Sequence, residues 1–227
     1  MTKNHLKRNA ANKRWDLLRK ADKFVLKAIP GKHSLDESVP LGYFLKKQGF
    51  ADTAREAKKL LLMNVVCIDK RKEKEIKSPV GFMDLISINN ESFRCLFDKK
   101  GRFEFIKVDP KEADKKICKI LGKTKRSNDK IQLNLVDGRN ILLDKEEFKV
   151  GDSLVLELPS QKIIKHLPLK EGMSILLIGG KYVGRNGVIK KILDNHIYFK
   201  DASENEFSTL KDYAFVVGEK NPELKIK

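Results

Sequence analysis

Cysteine is scarce and scattered. Cys67, Cys95 and Cys118 are odd in number and lie far apart, so neither a disulfide framework nor a zinc spacing can be built from them, and a reducing cytosol is expected. The four histidines, His5, His33, His166 and His196, are equally dispersed, and no metal or other cofactor is expected. No apolar run approaches the roughly 18–20 residues that span a bilayer. The start, MTKNHLKRNAANKRW, has no apolar core of a signal peptide and no glycine after Met1 for myristoylation. No membrane role is expected. The metalloprotease pattern H-E-x-x-H, the nucleophile elbow G-x-S-x-G and the redox pair C-x-x-C are all missing. The acidic residues interleave with lysine, as in KEADKK, and read as locally paired and solvated. No enzyme and no small-molecule substrate are therefore expected.

Positive charge is abundant. Lys and Arg number 48 against 31 Asp and Glu, a formal charge of +17 on 227 residues. A field of that sign draws polyanions, nucleic acid before acidic membrane. Apolar residues make up 41%, enough for real cores in one to three small domains.

Residues 1–37 read as a basic N-terminal arm. Ten Lys or Arg face four acids there, and Trp15 is the chain's single tryptophan. The expectation is an extended segment, mobile in the free protein and ordered on RNA, with Lys3, His5, Lys7, Arg8, Lys13, Arg14, Trp15 and Arg19 as contacts.

Residues 38–92 read as two short helices followed by strands. Leu41, Phe44 and Leu45 share one helical face, and Gly49 ends that helix. Thr53 and Glu56 form a capping box for a second helix. Ala57, Leu60 and Leu61 are its expected buried stripe, while Arg55, Lys58 and Lys59 fall outward. VVCID (65–69) reads as a strand, Lys70, Arg71 and Lys72 as the turn of a charged hairpin, and 84–88 as a second strand. Lys46 and Lys47 add to the basic face.

Beyond that the pattern is β. Hairpins are expected around 98–101 and around Asp137-Gly138, with a short helix at DPKEA between them. KKICKIL (115–121) reads as a strand, with continuation of that helix as the alternative. SLVLELPSQKIIKHLPL adds two strands. Residues 93–170 thus read as a central barrel or sandwich, and 171–227 as a smaller β-barrel with a tail. In IGGKYVGRNGVI (178–189) the glycines are spaced like a P-loop, but Arg185 and Asn186 replace the Lys and Ser/Thr that bind phosphate and magnesium. β-branched residues follow, where a phosphate cradle needs a helix. The glycines, Gly179, Gly180, Gly184 and Gly187, are read as loop-shaping between two strands, with Lys181, Arg185 and Asn186 projecting from the tip.

PLGYFLKKQGFADTAREAKKLLLMNVVCIDKRKEKEIKSPVGFMDLISI resembles the alpha-L, or S-four, RNA-binding module. Leu41, Gly49, Arg55, Ala57, Leu60, Val66 and Ile68 match its pattern. Ala54 replaces the usual serine, and the turn glycine is missing at 70–72. GMSILLIGGKYVGRNGVIKKI looks like a KOW motif, with Gly184 and Gly187 at its loop glycines. The order of HLKR, the alpha-L module, SPVGFMDLISI, FDKKGRF, a β domain, GGKYVGRNGVI and FSTLKDYAFVVG resembles the e-type "S four" ribosomal protein family. Shortness at the C-terminus suggests an archaeal member. The resemblance implies a non-catalytic structural protein of the small subunit, cytoplasmic and on the ribosome, with small-subunit rRNA and neighbouring ribosomal proteins as partners. The expected fold is α+β and mostly β: arm, αα-β module, central β-barrel or sandwich, and KOW-type barrel. Two rivals are an RNA-modifying enzyme that grips its substrate with the alpha-L module, and a KOW-type transcription or translation factor.

Overall fold

The computed structural model describes residues 5–18, 20–126, 130–144, 147–201 and 204–226. They form two units, one running to Leu96 and including Arg102–Pro110, the other comprising Phe97–Gly101 and the chain from Lys111 onward.

In the first unit, α1 (Leu41–Lys47) and α2 (Ala54–Leu62) are the two α-helices found among the described residues. Leu41, Phe44 and Leu45 are fully buried, as their spacing requires. Gln48 caps α1 and Gly49 follows at φ 75°, the left-handed conformation in which glycine carries no Cβ penalty. Thr53 accepts from the Glu56 N–H, and the Glu56 carboxylate accepts from Thr53 and Asp52 N–H, so the capping box is complete. Such a cap stabilises a helix by about 1 kcal/mol. Ala57 and Leu61 are fully buried. Leu60, expected in the same stripe, is half-buried.

A five-stranded sheet lies in the same unit, in the order Arg71–Lys72, Val66–Ile68, Leu85–Ile88, Glu91–Phe97, Phe103–Val108. A boundary at residue 93 falls inside this sheet, because Leu85 pairs with Arg94 and Ile86 with Phe93. Phe44 packs its ring 4.7 Å from that of Phe105 and 5.5 Å from that of Phe93. Each such fully buried side chain is worth about 1.5–3 kcal/mol of burial.

The N-terminal segment is not an extended arm. Trp15 is 6% exposed. Its indole N–H donates to the Ser38 carbonyl at 3.0 Å, and its ring lies 5.8 Å from that of Tyr43. Leu6–Lys7 pairs with Phe24–Val25 as a small ribbon. Ser38–Pro40 pairs with Pro79–Gly81. The segment has too few apolar residues to order itself, and α1, which it covers, supplies the apolar surface it packs on.

The second unit carries two five-stranded sheets. The first runs Asn140–Leu143, Ile131–Leu135, Lys115–Lys125, Ser153–Glu157, Ile163–Leu167. Its inward side chains, among them Cys118, Ile120, Leu133, Leu154 and Leu156, form one cluster. KKICKIL is therefore strand. The helix expected at DPKEA is a single 3-10 turn, Pro110–Glu112. The second sheet runs Glu206–Leu210, His196–Asp201, Asn186–Leu193, Ser174–Leu177, Ala214–Gly218. Ile189 and Phe199 face inward, whereas Val188 and Tyr198 face out, the two-residue period of a half-buried strand. Lys119 joins the first sheet to the second: its ammonium donates to the carbonyls of Asp212 at 2.7 Å and Ala214 at 2.8 Å, and burial pushes its pKa down to about 8.

Candidate nucleic-acid interface

Arg55, Lys58 and Lys59 are all exposed on α2. The capping box fixes where the helix starts, and burial of Ala57 and Leu61 fixes its rotation. Together these aim the three cations at solvent. Glu56 is the acid among them. Hydrogen bonds from Asp52 and Thr53 N–H hold its carboxyl below the usual range, so it stays ionised and stays occupied by the cap. Lys46 and Lys47 close α1 at its C-terminus and are exposed as residues. Lys47 is partly engaged, donating to the Phe103 carbonyl at 3.1 Å and lying 3.6 Å from Asp16.

The charged turn is tighter than its spacing suggests. Arg71 and Lys72 form a strand that pairs with Ile68 and Cys67. The turn itself is Asp69-Lys70, at φ 51° and 65°. Two non-glycine residues in that region cost strain, and Asp69 offsets it: its carboxylate accepts from the Leu85 N–H at 3.0 Å and pairs with Lys32 at 3.0 Å. Lys32 also reaches Asp84 at 2.9 Å, where His33 and the Gly81 N–H converge as well. Lys70, Arg71 and Lys72 are therefore exposed on a braced hairpin.

Among the N-terminal candidates, His5, Lys7 and Lys13 are exposed, Arg14 is half-buried and Trp15 is buried. Arg8 is tied into the segment itself, donating to the carbonyls of Asp22 at 2.6 Å and Leu18 at 2.8 Å. Lys3 and Arg19 lie outside the described residues.

In the second unit, the 178–187 loop joins two strands of one sheet. Gly184 has φ 73°, and a Cβ there would stand 2.3 Å from the Asp98 carbonyl oxygen. Gly187 sits within the strand, where a Cβ would meet the Lys200 carbonyl at 2.6 Å. Gly179 lies before the turn, under the Tyr213 ring, and Gly180 is in it at φ 75°. Lys181 is exposed, as expected of a tip. Arg185 and Asn186 do not project. Arg185 lies 5.6 Å from the Tyr182 and Phe207 ring centroids and 3.5 Å from Asp201. Asn186 opens the strand, and its side-chain oxygen is buried.

The charge pattern alone could not separate structural cations from solvent-facing ones. Lys116, 3.0 Å from Asp137, and Lys119 are buried, yet read in sequence like any other lysine. They stand in a strand whose residues 116–120 are all buried, so no alternation marks them. Among the described residues no cluster of His, Cys, Asp and Glu is placed to hold a metal ion, and no helix is long and apolar enough to cross a membrane.

Comparison with known proteins follows the same lines. A model described as the ribosomal family S4e matches residues 89–163, and one described as the RS4NT (NUC023) domain matches residues 2–36. The small ribosomal subunit protein eS4 of Methanocaldococcus jannaschii is 42% identical over 241 residues, covering 99% of this chain and 98% of that protein. The protein of the same description from Methanococcus maripaludis (strain C5) is 37% identical over 238 residues, covering 98% and 97%. The crystal structure of the 30S ribosomal protein S4e from Thermoplasma acidophilum superposes with a TM-score of 0.72 at 32% identity, covering 81% of this chain and 96% of that one. The class so defined is that of ribosomal proteins. Within it, the chain belongs to the S4e family.

Proposed function

We propose that this chain is a structural component of the small ribosomal subunit that binds rRNA through its exposed basic surfaces. It works in the cytoplasm, on the ribosome, and performs no catalysis. The observation that carries the reading is the arrangement on α2: Arg55, Lys58 and Lys59 exposed together on a capped helix, in a chain of charge +17. Lysine and arginine displace counterions from phosphates, which gives affinity without sequence choice. Discrimination comes from shape, since cations on braced elements match only a backbone folded to the same spacing. The Asp69-Lys70 hairpin with Lys70, Arg71 and Lys72, the ends of α1 with Lys46 and Lys47, the exposed His5, Lys7 and Lys13, and Lys181 of the glycine loop extend the contact. The loop between Ser174–Leu177 and Asn186–Leu193 serves as the KOW-type element of this surface. Neighbouring ribosomal proteins are the further partners.

The test is stoichiometry. Small subunits washed at high salt should retain this chain at one copy per particle. Loss in the wash with substoichiometric recovery would contradict the reading and favour a factor that binds and leaves.

A further inference from the structure

The first unit holds two adjoining clefts of unlike chemistry. One, of about 530 Å³, has an apolar floor that includes Leu17, Phe24, Leu26 and Tyr43, with Lys46 and Lys47 on its rim. The other, of about 620 Å³, is polar and is lined by Asn9, Asn12, Lys13 and Arg102. Arg8, Trp15, Asp16 and Leu17 line both and form the shared wall. Volumes of about 300–1,000 Å³ are those that enclose small ligands.

From this pairing we infer that the first unit captures one extruded, unpaired nucleotide of an RNA, base in the apolar cleft and backbone phosphate in the polar one. The inference rests on the RNA-binding reading above and names a site for it. A nucleotide is the ligand that needs both halves at once: a flat apolar ring and, a few bonds away, an anion.

Phe24 is the stacking surface. It is 48% exposed and lines the apolar cleft. His5 meets its ring edge-on at 5.3 Å, and the Lys23 ammonium lies over the ring, 5.6 Å from its centroid. Asp16 and Asp22 at the apolar cleft are carboxylates. Asp22 repels a phosphate there, Asp16 on the shared wall is paired with Arg102, and both carboxylates can accept hydrogen bonds from exocyclic amines, so a base bearing an amino group fits better than uracil. On the other side of the wall, exposed Lys13 offers the cation for the phosphate, with Arg102 holding Asp16 in place through an ion pair.

The test uses the full chain and two RNA hairpins of one sequence, fully paired or with a single bulged adenosine. Stacking of one base on an aromatic ring is worth about 5- to 140-fold in affinity, so the bulged hairpin should bind tighter by a factor in that range. The preference should survive added salt, which weakens only the counterion part of binding. Phe24→Ala should abolish the preference and leave affinity for the paired hairpin unchanged. Phe24→Leu keeps the apolar bulk without the ring and should lose most of the preference, which serves if Phe24→Ala proves unstable. Equal binding of both hairpins by the native chain, or a preference that persists in both variants, overturns the nucleotide site and leaves the RNA-binding reading standing. Failure to bind either hairpin at low salt overturns that reading, and the site with it.

Discussion

The indole N–H of Trp15 donates to the backbone carbonyl of Ser38 at 3.0 Å, across 23 residues of chain. That bond, with the Trp15 ring 5.8 Å from Tyr43, makes the basic N-terminal segment part of the first unit's core rather than a tail waiting for RNA.

A direct consequence concerns fluorescence and stability. Trp15 is the single tryptophan, so emission reports on it alone. The free protein should emit in the blue, and Trp15→Ala should cost about 3–5 kcal/mol of stability, the usual loss for a large buried aromatic. Red-shifted emission before RNA is added, or an unchanged melting curve in the variant, would restore the mobile arm.

Tyr43 supplies a pH dependence. Burial pushes its hydroxyl up to about 12 from an ordinary 10.0. Between those values the unfolded chain releases the proton while the folded one keeps it. The contribution to stability is complete below pH 10 and is lost as pH rises toward 12. Tyr43→Phe should remove this alkaline component from the stability profile. It should also cost about 1 kcal/mol at neutral pH, because the Asp16 N–H, 3.0 Å from the hydroxyl, loses its acceptor. A variant whose alkaline limb matches that of the native chain would show that Tyr43 is not buried.

Two glycines with nearly the same backbone angle should respond differently to a methyl group. Gly49 has φ 75° and open space around it, whereas Gly184 has φ 73° and the Asp98 carbonyl oxygen 2.3 Å from the position of a Cβ. Gly49→Ala should cost the conformational penalty alone, about 1 kcal/mol. Gly184→Ala should cost the same penalty plus the displacement of backbone, and so lower the melting temperature further. Equal losses would mean that the loop does not pack as found.

Much of this fold is legible in sequence because local chemistry and tertiary environment agree. Thr53 and Glu56 mark the start of α2, and Asp137-Gly138 marks a hairpin that the pairing of Asn134 with Asn140 confirms. The departures arise where a partner distant in sequence decides. Trp15 depends on Ser38 and Tyr43, so a window over the segment sees only ten cations and too few apolar residues. Ser38–Pro40 pairs with Pro79–Gly81, a partner far along the chain that no local window sees. Glu206–Leu210 is a strand with weak alternation, held by His196–Asp201 alongside it. Arg71 and Lys72 read as turn because they stand in a run of charged residues, yet Asp69, braced by Leu85 and Lys32, makes the turn one step earlier. Of the candidate surface, the outward face of α2 follows from helical period alone. The inward engagement of Arg8 and Arg185 does not, since backbone carbonyls hold Arg8 and residues farther along the chain, Asp201 and Phe207, help to hold Arg185.

On the proposed function, the exposed cations of α2 meet RNA phosphates. Arg55, Lys58 and Lys59 changed together to Gln should leave the melting temperature close to native, because exposed substitutions cost within about 0.5 kcal/mol each. The measurement is the affinity for small-subunit rRNA across a salt series. Binding should weaken, and the log–log slope should flatten by about 0.7–0.9 for each phosphate that is no longer neutralised. A slope identical to that of the native chain would contradict it.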